Sequence, residues 1–324
     1  MRKRTQNASY RLVASVFAIL MAGGAAAAQD LRLITFGGAS LEGNYYAIAK
    51  AICKTINELK RDDLRCSPES TPGSLYNLHA MQKGELDFAL VQSDWQRAAI
   101  EGTGPFSDEG PMSGLRSVMS LYQEALTFAA RRDSGIRSLE DLGGKILDIG
   151  HPSSGRRGTT QRLIDALNPP PGYLEYRELK GAALVNGLCE GTVDAAMTVF
   201  GHPNVTIAKV LRDCDLVLVP VTGAKVDAFL SDNADYSSFV IAAGTYPAMT
   251  VPVRTFSVAA TLVVRDDIPQ DIVALFVRTL LANYDKLRED LPVLPAGDPL
   301  SRRSTGLTAP LHPGAVAVFA FSGR

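Results

Sequence analysis

The sequence carries the same order of predicted elements twice, and this repetition constrains the fold more than any other feature. In residues 84–94, a glycine that ends a helix is followed by an aliphatic residue, Asp, Ala, an apolar strand and a polar loop. Residues 191–203 repeat this pattern, with Asp194 at the position of Asp87. Because each half also begins with a strand, a Gly/Ser loop and a helix, the sequence predicts two α/β lobes of similar design.

The two Gly/Ser loops are candidates for ligand binding. Residues 37–44 follow an apolar strand at 31–36, and residues 150–160 follow one at 145–149. Small residues let backbone N–H groups approach a ligand, and the N-terminus of the next helix adds a partial positive charge, which suits an anion. The alternative is a turn whose Ser and Thr only cap a helix. Loops at the carboxyl ends of strands in both lobes predict one cleft, which closes over a small ligand.

The N-terminus predicts export. Residues 1–28 combine four cations, an apolar core at 12–20 and three alanines before a cleavage site near Ala28, which is typical of a signal peptide. The apolar core is too short for a membrane anchor, which is the alternative. We therefore expect a periplasmic protein that begins near Gln29.

Charge and cysteine content narrow the class further. Four of the 33 cations lie in the signal, which leaves 29 Lys and Arg against 34 Asp and Glu and argues against a nucleic-acid partner. In an exported chain the four cysteines predict disulfides, and three pairings are possible. We favour the local pairing Cys53–Cys66 and Cys189–Cys214, because each pair would tie a helix to a nearby strand or helix end; the alternative is four free buried thiols. Cys and His lack metal-ligand spacing, so we expect neither a metal nor a cofactor.

The sequence also predicts binding without catalysis. The motifs GxSxG, SxxK, the P-loop and GxGxxG are absent. Ser93 and Ser154 have no histidine that the sequence places beside them as a general base. We therefore expect that the protein is not an enzyme.

Several of these segments resemble the TAXI family of TRAP-transporter solute-binding proteins. They occur in the same order as in that family, and together they extend over about residues 31–313. The segments that carry the resemblance are Gly43-Asn44-Tyr45-Tyr46, residues 84–94, Leu121-Tyr122, residues 134–136, residues 139–145, residues 150–159, residues 243–247 and residues 311–315.

The resemblance implies a type II periplasmic-binding-protein-like α/β fold, in which two lobes are joined by a two-crossing hinge with the ligand cleft between them. Lobe 1 would comprise residues 29–130 plus 256–324, and lobe 2 residues 131–255. The family implies capture of a small carboxylate, either a glutamate-like amino acid or a dicarboxylate, and its delivery to the membrane subunits of a TRAP permease. We expect the chain to act as a monomer.

Carried over position by position, the family's ligand site falls on both Gly/Ser loops and on two strand ends. The candidate residues are Ser40, Gly43, Asn44, Tyr45, Tyr46, Gln92, Ser93, Ser153, Ser154, Gly155, Arg156, Arg157, Thr159 and Gly201. The chain departs from the family at Leu41-Glu42, where small residues are usual, and at Arg156, where Thr is frequent.

Our hypothesis for binding places a ligand carboxylate on the backbone N–H groups from Ser154 onward, with Arg156 or Arg157 as its charge partner. We favour Arg157; the alternative for each arginine is a solvated surface charge. One of the two adjacent tyrosines of the first loop would cover the other end of the ligand. Asp94 could meet a ligand amine, although capping of the following helix is its more ordinary role.

Two other functions remain open at this point. The same liganded lobes could report to a signalling partner instead of a permease, or the fold could carry an enzyme. A permease gene beside this one would favour transport, and turnover of a ligand would favour the enzyme.

Overall fold

The structure is a computed structural model that describes residues 31–179 and 181–322. The predicted signal peptide lies outside these residues. Within the described part of the chain, no helix is long and apolar enough to cross a membrane.

The chain forms two α/β halves that are linked by two long strands. The elements up to the first long strand are β1 (Arg32–Gly37), α1 (Asn44–Glu58), β2 (Leu64–Glu69), α2 (Ser74–Gln82), β3 (Phe88–Gln92), α3 (Ser93–Glu101) and β4 (Leu115–Arg131). The second half contains β5 (Lys145–Asp148), α4 (Gly155–Leu167), β6 (Leu174–Arg177), α5 (Ala182–Glu190), β7 (Ala195–Phe200), α6 (Val205–Asp213), β8 (Leu216–Val219), α7 (Ala224–Asp232) and β9 (Ser237–Ile241). The chain returns through β10 (Val253–Arg265) and ends with α8 (Gln270–Ala282), α9 (Tyr284–Asp290) and α10 (Pro313–Ser322).

One mixed sheet runs through the molecule in the order β2-β1-β3-β10-β4-β7-β5-β6. Strands β1, β2 and β3 are parallel to one another, and so are β5, β6 and β7. The two long strands pair antiparallel in the middle, and β8 and β9 then pair with β4 and β10 respectively. The carboxyl ends of the parallel strands in both halves therefore open toward the space between them.

Each half has its own apolar core. Leu121 and Tyr122 of β4 belong to the core of the first half, whereas Leu126 and Phe128 belong to that of the second. We therefore call β1–β3, α1–α3 and α8–α10 lobe 1, and β5–β9 and α4–α7 lobe 2. The predicted boundaries at 130/131 and 255/256 fall in the two long strands, and they stay a prediction.

Both predicted disulfides are present. Cys53 of α1 bonds to Cys66 of β2, and Cys189 of α5 bonds to Cys214 at the end of α6. Each bridge ties a helix to a nearby strand or helix end, as expected. By closing loops of 13 and 25 residues, such bridges stabilise a domain by roughly 3 kcal/mol each.

The structure differs from the sequence prediction in five places. Helix α6 and strand β9 were not predicted. The spacing of apolar residues over 271–287 predicts one amphipathic helix, whereas the structure has two helices that meet at Asn283. Helix α4 begins at Gly155 instead of near Thr160, because the Ser154 side chain caps it by accepting the backbone N–H of Arg157. A serine before an apolar helical pattern predicts that Ser74 caps α2, whereas the structure makes it the first helical residue.

Candidate functional site

A cavity of about 810 Å³ lies between the lobes, at the carboxyl ends of their strands. Its wall on the lobe 1 side consists of the loops after β1 and β2, the first residues of α1 and α2, the end of β3 and one residue of β4. Those residues are Ala39, Ser40, Leu41, Glu42, Gly43, Asn44, Tyr45, Ser70, Thr71, Pro72, Gly73, Ser74, Gln92 and Glu124. The opposite wall is formed by His151, Ser154, Gly155, Arg156, Gly181, Ala182, Leu184, Val185, Asn186, Val199, Phe200, Val205, Thr206 and Lys209.

Glu124 is the buried acid of this cavity. It lies on β4 and is 5% exposed. The Tyr45 hydroxyl donates to its Oε2 at 2.5 Å, and the Tyr122 hydroxyl donates to its Oε1 at 3.3 Å. Burial raises the pKa of Glu124 to about 8, although the two hydrogen bonds act in the opposite direction. The cavity thus contains a carboxyl group that is poised between its neutral and charged forms.

The N-terminus of α4 forms part of the lobe 2 wall. The Ser154 hydroxyl donates to the carbonyl of His151 at 2.7 Å and also serves as the helix cap. Gly155 and Arg156, the first two helical residues, line the cavity. Unpaired N–H groups at such a terminus, together with the helix dipole, favour an anionic group.

The side chain of Arg156 is engaged inside lobe 2. Its Nη2 donates to Oδ1 of Asp148 at 3.0 Å and to the carbonyl of Leu179 at 2.6 Å, while Nη1 donates to the carbonyl of Met197 at 3.3 Å. Burial lowers the pKa of Arg156, and the Asp148 charge opposes this effect. The guanidinium therefore ties α4 to the strands behind it.

Arg157, which we favoured as the charge partner of the ligand, lies outside the cavity lining. Its Nη1 is 3.3 Å from a carboxylate oxygen of Glu178. Both arginines of the predicted cradle thus already have an acidic neighbour in the protein, and the contribution of either one to ligand binding stays a prediction.

Helices α3 and α4 hold the lobes together beside the cavity. The indole N–H of Trp95 donates to the carbonyl of Gly155 at 2.9 Å. The buried Asp94 carboxylate accepts the hydroxyls of Thr159 at 2.9 Å and Tyr236 at 3.0 Å, both from lobe 2. Burial raises the pKa of Asp94, and Arg162 opposes this shift. The lobes are therefore in contact on this side of the cleft.

Eight of the fourteen predicted site residues line the cavity. They are Ser40, Gly43, Asn44, Tyr45, Gln92, Ser154, Gly155 and Arg156. Of the two candidate tyrosines, Tyr45 is the one at the cavity, and its hydroxyl is held by Glu124.

The other six predicted residues lie near the cavity without lining it. Ser93 accepts the backbone N–H of Ala259, and Thr159 binds Asp94. The carbonyl of Gly201 accepts the Asn44 side chain at 3.3 Å. Tyr46, Ser153 and Arg157 are partly buried outside the lining. For all fourteen, contact with a ligand stays a prediction.

Sequence reasoning missed Glu124, His151 and the residues that α5 and α6 contribute. A signal for Glu124 existed, because an acid in the middle of a long apolar strand is rarely left there without a partner. Asp94 was expected to cap a helix or meet a ligand amine; instead it lies in the first turn of α3 and binds lobe 2. Among the described residues, no cluster of His, Cys, Asp and Glu could hold a metal ion.

Gly158 allows the lobes to meet at α3 and α4. A Cβ atom at this position would lie 1.9 Å from Cζ2 of Trp95, which is buried beneath Arg162. We expect Gly158→Ala to lower the free energy of unfolding by about 1–3 kcal/mol, even though alanine favours a helix. Urea unfolding would measure this effect. In a Trp95→Ala background the same substitution should cost nothing; an equal cost in both backgrounds would show that the indole is not the obstacle.

Comparisons with known proteins agree with this architecture. The sequence profile of the NMT1-like family matches residues 36–323. A structure from work on glutathione import via GshT and the cystine ABC importer TcyBC of Streptococcus mutans has a TM-score of 0.51 at 11% identity, covering 82% of this chain and 98% of that one. A histidine kinase sensor domain with similarity to periplasmic binding proteins has a TM-score of 0.50 at 15% identity, covering 82% and 99%. XAC2383 from Xanthomonas citri, bound to chloride, has a TM-score of 0.49 at 13% identity, covering 89% and 95%.

Proposed function

Since the chain belongs to the NMT1-like family and has a type II periplasmic-binding-protein-like α/β fold, we propose that it is an extracytoplasmic solute-binding protein and not an enzyme. The observation that carries this proposal is the cavity of about 810 Å³ between the lobes. Its size suits a small organic molecule, and both lobes contribute to its wall. A ligand in that position would contact both lobes at once and would therefore stabilise their closed arrangement.

The ligand we propose is a small molecule with at least one carboxylate. The support for this is the N-terminus of α4, where Gly155 and Arg156 line the cavity and the helix dipole favours negative charge. The side chains of Ser40, Asn44 and Gln92 supply polar groups from the opposite wall. Because both arginines of the predicted cradle have acidic neighbours, we assign the anion to the helix N-terminus and the cap residue Ser154.

Delivery to a TRAP-type permease is the role we propose for the liganded protein. Its support is the resemblance of the sequence motifs to the TAXI family. A sensory role is the second candidate, because one structure of similar fold is a histidine kinase sensor domain. Uptake of the ligand by vesicles that contain the TRAP membrane subunits, dependent on addition of this protein, would distinguish transport from sensing.

The experiment that tests solute binding uses two tryptophan variants of α5. Asn186 lines the cavity, whereas Ala183 is exposed on the same helix and does not. The screen covers small carboxylates, amino acids and sugars. One of these classes should raise the melting temperature of the wild-type protein, and it should raise that of Ala183→Trp by the same amount. A ligand at one hundred times its dissociation constant adds about 2.7 kcal/mol of stability. Asn186→Trp should bind at least tenfold more weakly by calorimetry.

Two outcomes would contradict this proposal. Equal affinity of both tryptophan variants would place the ligand outside the cavity. If no compound of any class produces a thermal shift, the argument for a solute-binding protein is removed.

A further inference from the structure

The Glu124 carboxyl group has no cationic partner within the part of the chain that the structure describes. Among residues 31–179 and 181–322, no Lys, Arg or His lies within salt-bridge distance of it, and its only hydrogen-bond partners are Tyr45 and Tyr122. Acidic residues are seldom buried without a partner, since an unpaired charge in the interior is costly. Glu124 also lines the cavity, so a ligand can reach it.

The titratable groups around Glu124 do not supply the missing charge. Asp94 of α3 is an acid and raises the pKa of Glu124 further, and Glu42 in the loop before α1 is another acid on the cavity wall. On the opposite wall, Arg156 is paired with Asp148 at 3.0 Å, and Lys209 with Asp213 at 2.8 Å.

The remaining basic side chain on the wall is His151. Its Nδ1 accepts the backbone N–H of Ser153 at 3.2 Å. The described wall of the cavity therefore offers an incoming ligand an acid near lobe 1 and offers it no unpaired arginine or lysine.

Two states of Glu124 could serve a ligand. A neutral acid would donate a hydrogen bond to an anion, whereas a carboxylate would accept one from a cation. Both oxygens already accept a tyrosine hydroxyl, and the 2.5 Å contact with Tyr45 has the length of an O–H···O⁻ bond. These two hydrogen bonds favour the carboxylate and burial opposes it. A cation in the cavity would therefore shift the group to its ionised form, whose remaining lone pairs are available to a donor.

We propose that Glu124 is the subsite for a cationic nitrogen of the ligand, held in place by Tyr45 and Tyr122. The inference rests on the proposed function and narrows its ligand class. With a carboxylate at the N-terminus of α4 and an ammonium group at Glu124, the ligand is an amino acid or a related zwitterion, and a simple dicarboxylate would leave Glu124 unpaired.

This assignment predicts the sign of the pH dependence. An ammonium group favours the ionised form of Glu124, so binding below the pKa of the free protein, about 8, releases a proton. The affinity for a zwitterion should therefore rise at least tenfold between pH 6 and pH 8. An anion that needs the neutral acid as a donor would show the opposite trend.

The test is calorimetry with matched pairs of probes that differ in the amine: L-glutamate with glutarate, L-aspartate with succinate, and L-leucine with 4-methylpentanoate. We expect at least one amino acid to bind at least tenfold more tightly than its partner, and Glu124→Gln to remove this preference and the pH dependence. Tyr45→Phe, which keeps the carboxyl group, should keep the preference and move the pH midpoint upward.

Each other result bears on the proposals in a different way. Binding of the amine-free acids alone, or an affinity that falls as the pH rises, would overturn the cation subsite and leave solute binding intact. Retention of the amine preference by a folded Glu124→Gln protein would also overturn it. If no probe binds and the broader screen with the tryptophan variants is also silent, both proposals fail.

Discussion

Replacement of Asp148 with alanine is expected to lower the free energy of unfolding by about 3–5 kcal/mol, because it leaves a buried guanidinium without its counter-ion. Asp148 is fully buried; its Oδ1 accepts Nη2 of Arg156 at 3.0 Å, and its Oδ2 accepts the backbone N–H of Leu179 at 2.6 Å. The Arg156 guanidinium stays charged in the variant, because arginine does not lose its proton in proteins. Urea unfolding, followed by the fluorescence of the single tryptophan, would measure the change.

The chain offers a matched control on its surface. Arg132 and Asp215 form the same kind of ion pair at 2.9 Å, but their side chains are 56% and 77% exposed. We expect Asp215→Ala to cost less than about 1 kcal/mol. In addition, Asp148→Leu combined with Arg156→Met should recover much of the lost stability, since both charges are then removed. Equal effects of Asp148→Ala and Asp215→Ala would show that burial of the pair does not matter.

The architecture could be predicted from the sequence because it depends on patterns that are local in the chain. Apolar runs followed by Gly/Ser loops located the strands β1 and β5, and the repeated Gly-x-aliphatic-Asp segment located β3 and β7. The fold class is confirmed, and so are both disulfides. In contrast, β9 is a short strand with exposed residues that forms only by pairing with β10, and a one-dimensional pattern gives little signal for it.

The site was harder to predict because its contacts join distant parts of the chain. The Gly/Ser pattern identified the loops that line the cavity, but it could not show which way a side chain points. The direction of Arg156 depends on a buried acid at the end of β5 and on carbonyls from two other segments. The environment of Glu124 depends on how β4 meets α1, 79 residues away in sequence. Such contacts follow from tertiary packing, and a single sequence does not reveal them.

Glu124 is expected to destabilise the protein without ligand as the pH rises from about 4.5 to about 8, an effect that His202 opposes below about pH 6.5 because burial lowers its pKa to about 4. Burial raises the pKa of this acid from 4.5 to about 8, so in this interval the folded protein binds a proton that the unfolded chain has released. The contribution of Glu124 to stability therefore falls with rising pH. At about 1.4 kcal/mol per pKa unit, the loss of stability that Glu124 causes approaches ~5 kcal/mol above pH 8.

The decisive measurement compares urea unfolding of the wild-type protein and Glu124→Gln between pH 5 and pH 9, without ligand. The amide keeps the shape of the protonated acid but cannot ionise. The free energy of unfolding of Glu124→Gln should therefore increase relative to that of the wild-type protein as the pH rises, and above pH 8 the variant should be the more stable protein. Subtraction of the two curves removes the other titrating groups, which both proteins share. A difference that stays constant with pH would contradict this prediction, because it would mean that Glu124 is charged in the folded protein over the whole range. The residues packed around Tyr45 and Tyr122 supply no cation that would stabilise such a charge.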